Sequence, residues 1–150
     1  MRRSTRRELI GATAAGAAFA AGPPAWAKRI LGGHAGVGPG RFLDGVASGE
    51  PSSSAVTFWS KLTTSRPSSG ARLVVATDEN LSRTVATAVV PTGRSIDGTL
   101  KARIGGLKPH SRYYYVWESG EDVSPVGRTQ TLVPAGSVQP QTLAISSCQS

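Results

Sequence analysis

Between Gly45 and Leu132 the chain shows no helical period; short apolar runs alternate with clusters of turn-forming residues. This rhythm limits the fold more than any other feature, because an amphipathic helix needs apolar positions at three- and four-residue spacing over about ten residues. Strands are expected near Gly45–Ser48, Ala55–Leu62, Ala71–Thr77, Arg83–Val90, Thr99–Ile104, Arg112–Glu118 and Val126–Leu132. The breaks carry turn chemistry: Glu50-Pro51-Ser52-Ser53-Ser54, Arg66-Pro67-Ser68-Ser69-Gly70, Pro91-Thr92-Gly93 and Asp97-Gly98. The fold class is therefore all-β, a sandwich of about seven strands.

The alternation within the runs sets the faces. Leu100, Ala102 and Ile104 point one way while Lys101 and Arg103 point the other, as on a strand with one buried and one wet face. Two runs are apolar on both faces. Val56, Phe58 and Leu62 oppose Ala55 and Trp59, and Tyr113, Tyr115 and Trp117 oppose Tyr114 and Val116. Two apolar faces ask for cover on both sides. Either a second domain docks there, around Trp59 or Tyr114, or the side chains stay exposed, as apolar groups on protein surfaces often do.

One segment is more specific. Leu107-Lys108-Pro109-His110-Ser111-Arg112-Tyr113 resembles the tyrosine corner of fibronectin type III and immunoglobulin-like sandwiches. In such a corner Leu107 caps the core, Pro109 stiffens the turn, and the Tyr113 hydroxyl bonds back to nearby backbone. Tyr113, Tyr114 and Tyr115 could instead form a stacking platform for sugars or bases, but the corner pattern accounts for Tyr113 directly. His110 is then a turn residue and not a ligand.

The two ends of the chain differ from this middle. Residues 1–27 begin with Arg2, Arg3, Arg6 and Arg7, continue through a weakly apolar stretch from Leu9 to Ala21, and end on Ala25-Trp26-Ala27. That is the order of a secretory signal peptide, with Ala25 and Ala27 framing cleavage. Arg6 and Arg7 in Thr5-Arg6-Arg7-Glu8-Leu9-Ile10 resemble the twin-arginine motif, although Leu9 and Gly11 depart from its usual residues. A short basic amphipathic helix or an uncleaved anchor is the alternative. Residues 28–42 are expected to be a glycine-rich linker, where His34 stands without a second metal ligand nearby. After the sandwich at 43–133, residues 134–141 read as another linker. Residues 142–150 then start a continuous apolar run, as the first buried strand of a further domain would.

Charge and cysteine content narrow the chemistry. Seventeen Lys+Arg against nine Asp+Glu give a net charge of +8, part of it in the leader. The rest is scattered singly, which suits solubility and forms no nucleic-acid footprint. A single cysteine excludes an internal disulfide framework and a cysteine-cluster zinc site.

Several stretches, in order, are similar to one family. Phe42-Leu43-Asp44-Gly45-Val46-Ala47-Ser48-Gly49-Glu50-Pro51, Val56-Thr57-Phe58-Trp59-Ser60-Lys61-Leu62, Thr99–Pro109, Tyr113-Tyr114-Tyr115, Ser124–Leu132 and Ser146-Ser147-Cys148-Gln149 resemble the opening of the PhoD-like alkaline phosphatases. Glu50 stands where an aspartate is usual. The resemblance implies an exported metallophosphoesterase, carried by the twin-arginine translocase to the periplasm, cell wall or exterior. It implies an amino-terminal β-sandwich followed by an α/β catalytic domain that hydrolyses phosphate mono- and diesters with iron and calcium. It also implies that Cys148 is an iron ligand in the complete enzyme, where a thiolate is a suitable soft donor. Without that resemblance Cys148 reads as a buried, inert thiol.

On this reading the chain is the front of a longer enzyme, truncated after the first strand of the metallophosphoesterase domain. It should be inactive alone, because one ligand does not hold a metal. The missing carboxy-terminal domain is its partner and would contain the phosphate-ester pocket. Two other functions compete. A secreted, non-catalytic sandwich would bind a partner or polysaccharide through an exposed aromatic platform of Tyr114 and Trp59. A truncated gene product would do neither.

Overall fold

The computed structural model of the protein describes residues 34–138 and residue 140. Seven strands follow one another: β1 (Val46–Gly49), β2 (Val56–Lys61), β3 (Ser68–Ala76), β4 (Thr84–Gly93), β5 (Thr99–Ile104), β6 (Arg112–Glu118) and β7 (Gly127–Gln130). A 3-10 turn, Arg94–Ile96, lies between β4 and β5. The strands form a three-stranded sheet, β1-β2-β5, and a four-stranded sheet, β4-β3-β6-β7, with every pair antiparallel.

The inward faces are those that alternation selects. Val56, Phe58 and Leu62 meet Leu73, Val75, Leu100, Tyr113, Tyr115 and Trp117 between the sheets, all at most 2% exposed. Phe58 and Tyr115 contact edge to face across the core, with ring centroids 4.7 Å apart, an arrangement in which a positive ring edge meets a negative ring face. On β5 the pattern of buried Leu100, exposed Lys101 and exposed Arg103 follows the period of two.

Strands β3 and β4 run further than their turn residues suggest. Gly70 pairs with Pro91, and Ser68 with Gly93, inside what reads in sequence as two breaks. Pro91 is accommodated because β4 is an edge strand, where a missing ladder donor leaves no inner partner unbonded. In contrast, β7 stops at Gln130. The Thr131 amide turns to the Ser111 carbonyl and the Leu132 amide to the Ser52 carbonyl.

Residues 28–42 do not behave as a linker over their described part. The Gly38 amide donates to the Gly70 carbonyl at 3.0 Å, and Gly120 donates to the Gly38 carbonyl at 2.9 Å. Arg41 and Thr63 exchange two backbone bonds, and Phe42 is buried in the main core. The glycines serve close approach here, not mobility. A Cβ on Gly70 would strike the Gly36 carbonyl oxygen, and one on Gly40 would sit 2.8 Å from the Leu62 side chain. Residues 34–42 therefore form a strap across the end of the sandwich where β2 and β6 finish.

The second apolar face of β6 is covered by the chain's own connections. Val74, Ala76, Leu81 and Val116 form a separate buried cluster, with Tyr114, Val123 and Val126 packed against it. Leu81 comes from the β3–β4 turn, and Val123 and Val126 from the β6–β7 connection. Exposure is thus not what this face tolerates, and a second domain is not what covers Val116.

Candidate functional site

Leu107, Pro109 and Tyr113 come together at the end of the sandwich where β5 passes to β6. The Tyr113 hydroxyl accepts the Lys108 amide at 2.8 Å, while its ring is buried in the core and Leu107 is 6% exposed. The bond satisfies a polar atom that burial would otherwise leave costly. Thr131 joins the same turn: its hydroxyl donates to the Lys108 carbonyl at 2.6 Å and accepts the Ser111 amide at 3.0 Å. His110 adopts φ 46° in this turn, and its amide donates to the Leu132 carbonyl at 2.9 Å.

The two aromatic residues of a possible binding platform do not share a face. Trp59 lies on the outer side of β1-β2-β5, between Ala47 of β1 and Lys101 of β5. Tyr114 lies on the outer side of the other sheet, opposite Arg128. Both are half-buried, and they look out from opposite sides of the molecule. One flat ligand cannot stack on both.

Polar groups near Trp59 are already engaged. The Thr57 hydroxyl donates to Glu50 Oε2 at 2.9 Å, and Arg103 Nη1 donates to the Glu50 carbonyl at 3.2 Å. At the opposite end, a groove is lined by Lys61, Leu62, Thr63, Thr64, Arg94 and Asp97. Its cations are taken: Lys61 Nζ lies 2.7 Å from Asp97 Oδ2, and Arg94 donates to the Ser65 carbonyl at 3.0 Å. Neither place presents an unengaged cationic cradle for an anion.

The group that stands out electrostatically is one that sequence reasoning did not single out. Glu118, the last residue of β6, is 2% exposed and lies in register with Arg72 of β3. Arg72 Nη1 is 3.6 Å from Glu118 Oε2. Neither carboxylate oxygen has a hydrogen-bond partner among the described residues. Burial pushes the Glu118 carboxyl up to about 7, against the opposing attraction of Arg72. The same guanidinium nitrogen touches His34 Nε2 from the strap. An acidic residue closing an apolar strand is the available sequence signal, but its partner is fixed only by register.

The signal residues Arg6, Arg7, Ala25 and Ala27, and Cys148 with its 142–150 run, lie outside the described residues. Among the described residues, no group of three His, Cys, Asp or Glu side chains could hold a metal ion. These residues therefore do not form the iron or calcium site that the resemblance implies. Among the described residues, no helix is long and apolar enough to cross a membrane.

A three-plus-four antiparallel sandwich of this strand order, closed by a buried tyrosine bonded to its own turn, defines a fibronectin type III-like module. The family model described as the PhoD-like phosphatase N-terminal domain matches residues 26–133, and the chain belongs to that family. It is 34% identical over 117 residues to alkaline phosphatase D of Bacillus subtilis (strain 168), covering 72% of this chain and 20% of that protein. A solved structure of PhoD superposes with a TM-score of 0.61 at 31% identity, over 64% of this chain and 20% of the other. The chain thus spans about a fifth of the length of these relatives. The sensor domain of the anti-sigma factor RsgI4 from Pseudobacteroides cellulosolvens superposes with a TM-score of 0.50 at 13% identity, over 67% of this chain and 92% of the other. That likeness concerns the fold alone.

Proposed function

We propose that this chain is the amino-terminal sandwich of an exported alkaline phosphatase or phosphodiesterase of the PhoD-like kind. The observation that carries the reading is the family match over 26–133, joined to 34% identity with the alkaline phosphatase D of Bacillus subtilis. In the complete protein a following domain hydrolyses phosphate esters with iron and calcium, and Cys148 contributes a thiolate to the iron. The sandwich supports that domain and flanks its entrance; it contributes no reacting group of its own.

Two experiments test this. The first is to read the source genome past the codon for Ser150, then express both the 150-residue chain and any longer frame with iron and calcium. The longer protein should hydrolyse p-nitrophenyl phosphate and the 150-residue chain should not. A stop codon directly after Ser150 would overturn the enzyme reading for this product and leave a secreted sandwich in search of a partner. The second concerns export. Intact mass of the exported protein should start at Lys28, and replacing Arg6 and Arg7 with lysine should block export by the twin-arginine route. A mature protein starting at Met1, or unchanged export of the double variant, would remove that part of the proposal.

A further inference from the structure

The two sheets are finished differently on their outer sides. On the four-stranded sheet the chain's own turns give cover: Leu81, Val123 and Val126 pack with Val116 and Tyr114. Trp59, on the central strand of the other sheet, is half-buried and packs against neither buried cluster. Across the ladder it stands between the exposed Ala47 of β1 and the exposed Lys101 of β5. Two residues along, Thr57 stands between the exposed Gly49 and Arg103. The face therefore has small residues on one flank, a tryptophan at its centre and cations on the other flank. Tryptophan and arginine are enriched at the centres of protein interfaces, where they act in a place sealed from water. Lys61 is held by Asp97 and Arg103 by the Glu50 carbonyl, whereas Lys101 forms no salt bridge among the described residues.

The chain leaves the sandwich at the loop that joins the first two strands of this same sheet. The Leu132 amide donates to the Ser52 carbonyl at 3.0 Å, and the Leu132 carbonyl accepts the His110 amide at 2.9 Å. The Thr131 amide donates to the Ser111 carbonyl at 3.1 Å, so backbone bonds on both sides fix the direction of exit. Directly afterwards the chain reverses. The Ser137 amide bonds to the Pro134 carbonyl at 3.1 Å, with Gly136 at φ 81°, the left-handed value that a type II turn requires. A reversal this close to a pinned exit turns the chain back beside the sandwich instead of onward from its end. This chain spans 20% of alkaline phosphatase D of Bacillus subtilis, which leaves a large body of protein to be seated.

We propose that the outer face of β1-β2-β5, centred on Trp59, seats the domain that follows the sandwich, with a carboxylate of that domain opposite Lys101. This rests on the reading that the chain is the front of a longer PhoD-like protein, and it names the surface through which the two parts meet. Strand β2 then has cover on both faces, as β6 has, but from a different part of the chain. The next domain is held against the side of the sandwich and does not swing on a free tether.

The test is hydroxyl-radical footprinting, read by mass spectrometry, of the 150-residue chain and of the longer frame expressed from the source genome. Trp59 should be labelled about fivefold less in the longer protein, as befits the dry centre of an interface, while Tyr114 on the opposite side keeps its labelling within about twofold. Lys101→Glu in the longer protein should raise Trp59 labelling at least about twofold, because it sets like charges against each other. An unchanged value there removes the carboxylate contact. Equal Trp59 labelling of the two proteins, when the longer one hydrolyses p-nitrophenyl phosphate, overturns the docking and leaves the family reading intact. So does protection that disappears on about tenfold dilution, which belongs to a second copy. Protection of Trp59 in a longer protein without phosphatase activity keeps the docking and removes the enzyme reading. A stop codon directly after Ser150 removes both.

Discussion

Strands β3 and β6 each have two buried faces, and the two are buried by different means. Their inner face, with Leu73, Val75, Tyr113, Tyr115 and Trp117, meets another sheet. Their outer face, with Arg72, Val74, Tyr114, Val116 and Glu118, meets two turns and a strap. On the inner face most neighbours come from regular ladders, joined by Phe42, Leu62 and Leu107 from the connections, so each side chain is held from several directions at once. On the outer face a few turn residues, Leu81, Val123 and Val126, cover the cluster, and a pair of opposite charges stands where apolar packing ends. Sheet against sheet gives redundancy; loop against sheet gives sensitivity to one residue or one proton.

The largest effect should come from the redundant side, where the volume lost is greatest. Trp117→Ala should cost about 3–5 kcal/mol in denaturant unfolding, since the side chain is fully buried among core residues. A loss below about 1 kcal/mol would mean that the inner face is not the main support of the fold.

Next in size is Glu118, and here the sign depends on pH. Its folded carboxyl lies at about 7, above its usual value of 4.5. The folded state therefore binds the proton more tightly, and stability falls as pH rises through this interval, then levels off above it. Glu118→Gln should abolish that fall and leave the variant more stable than the parent above neutral pH, by up to about 3 kcal/mol. A parent whose stability rises from about pH 5 to pH 7, or a variant with the same slope as the parent, would contradict the burial of an under-bonded carboxylate on this face.

Val116→Ala tests the loop-covered cluster and should cost about 2 kcal/mol, the value of two buried methyl groups. An effect as large as that of Trp117→Ala would erase the distinction between the faces. The smallest change is expected from Tyr113→Phe, at about 1 kcal/mol, because the ring stays packed and only the bond from the Lys108 amide is lost. Thermal unfolding of the pair of proteins resolves a difference of that size.

The inner face was open to reading from sequence because it depends on alternation. Leu100, Lys101, Ala102, Arg103 and Ile104 already state which way each side chain points, and the extents of β5 and β6 follow from the same pattern. Pro91 and the Gly36–Gly40 stretch misled, since proline and glycine mark turns in general. Here they sit on an edge strand and at close backbone contacts, which composition cannot distinguish. The cover on Val116 comes from Leu81 and Val126, whose roles depend on where turns fold back. Trp59 and Tyr114 look alike as half-buried aromatics, and only their assignment to different sheets separates them. The Arg72–Glu118 pair required the β3–β6 register, and His34 required the path of the strap.

The strap enters beside Thr63 and Gly120, at the end where β2 and β6 finish, whereas the chain leaves through Thr131 and Leu132 beside Ser111 and Ser52, at the other end. A tension drawn between these two points runs along the strands rather than across them. The backbone bonds of β6 with β7, and of Arg41 with Thr63, would then be loaded together, in shear, instead of parting one by one. The described chain thus enters and leaves the module at opposite ends of the strands.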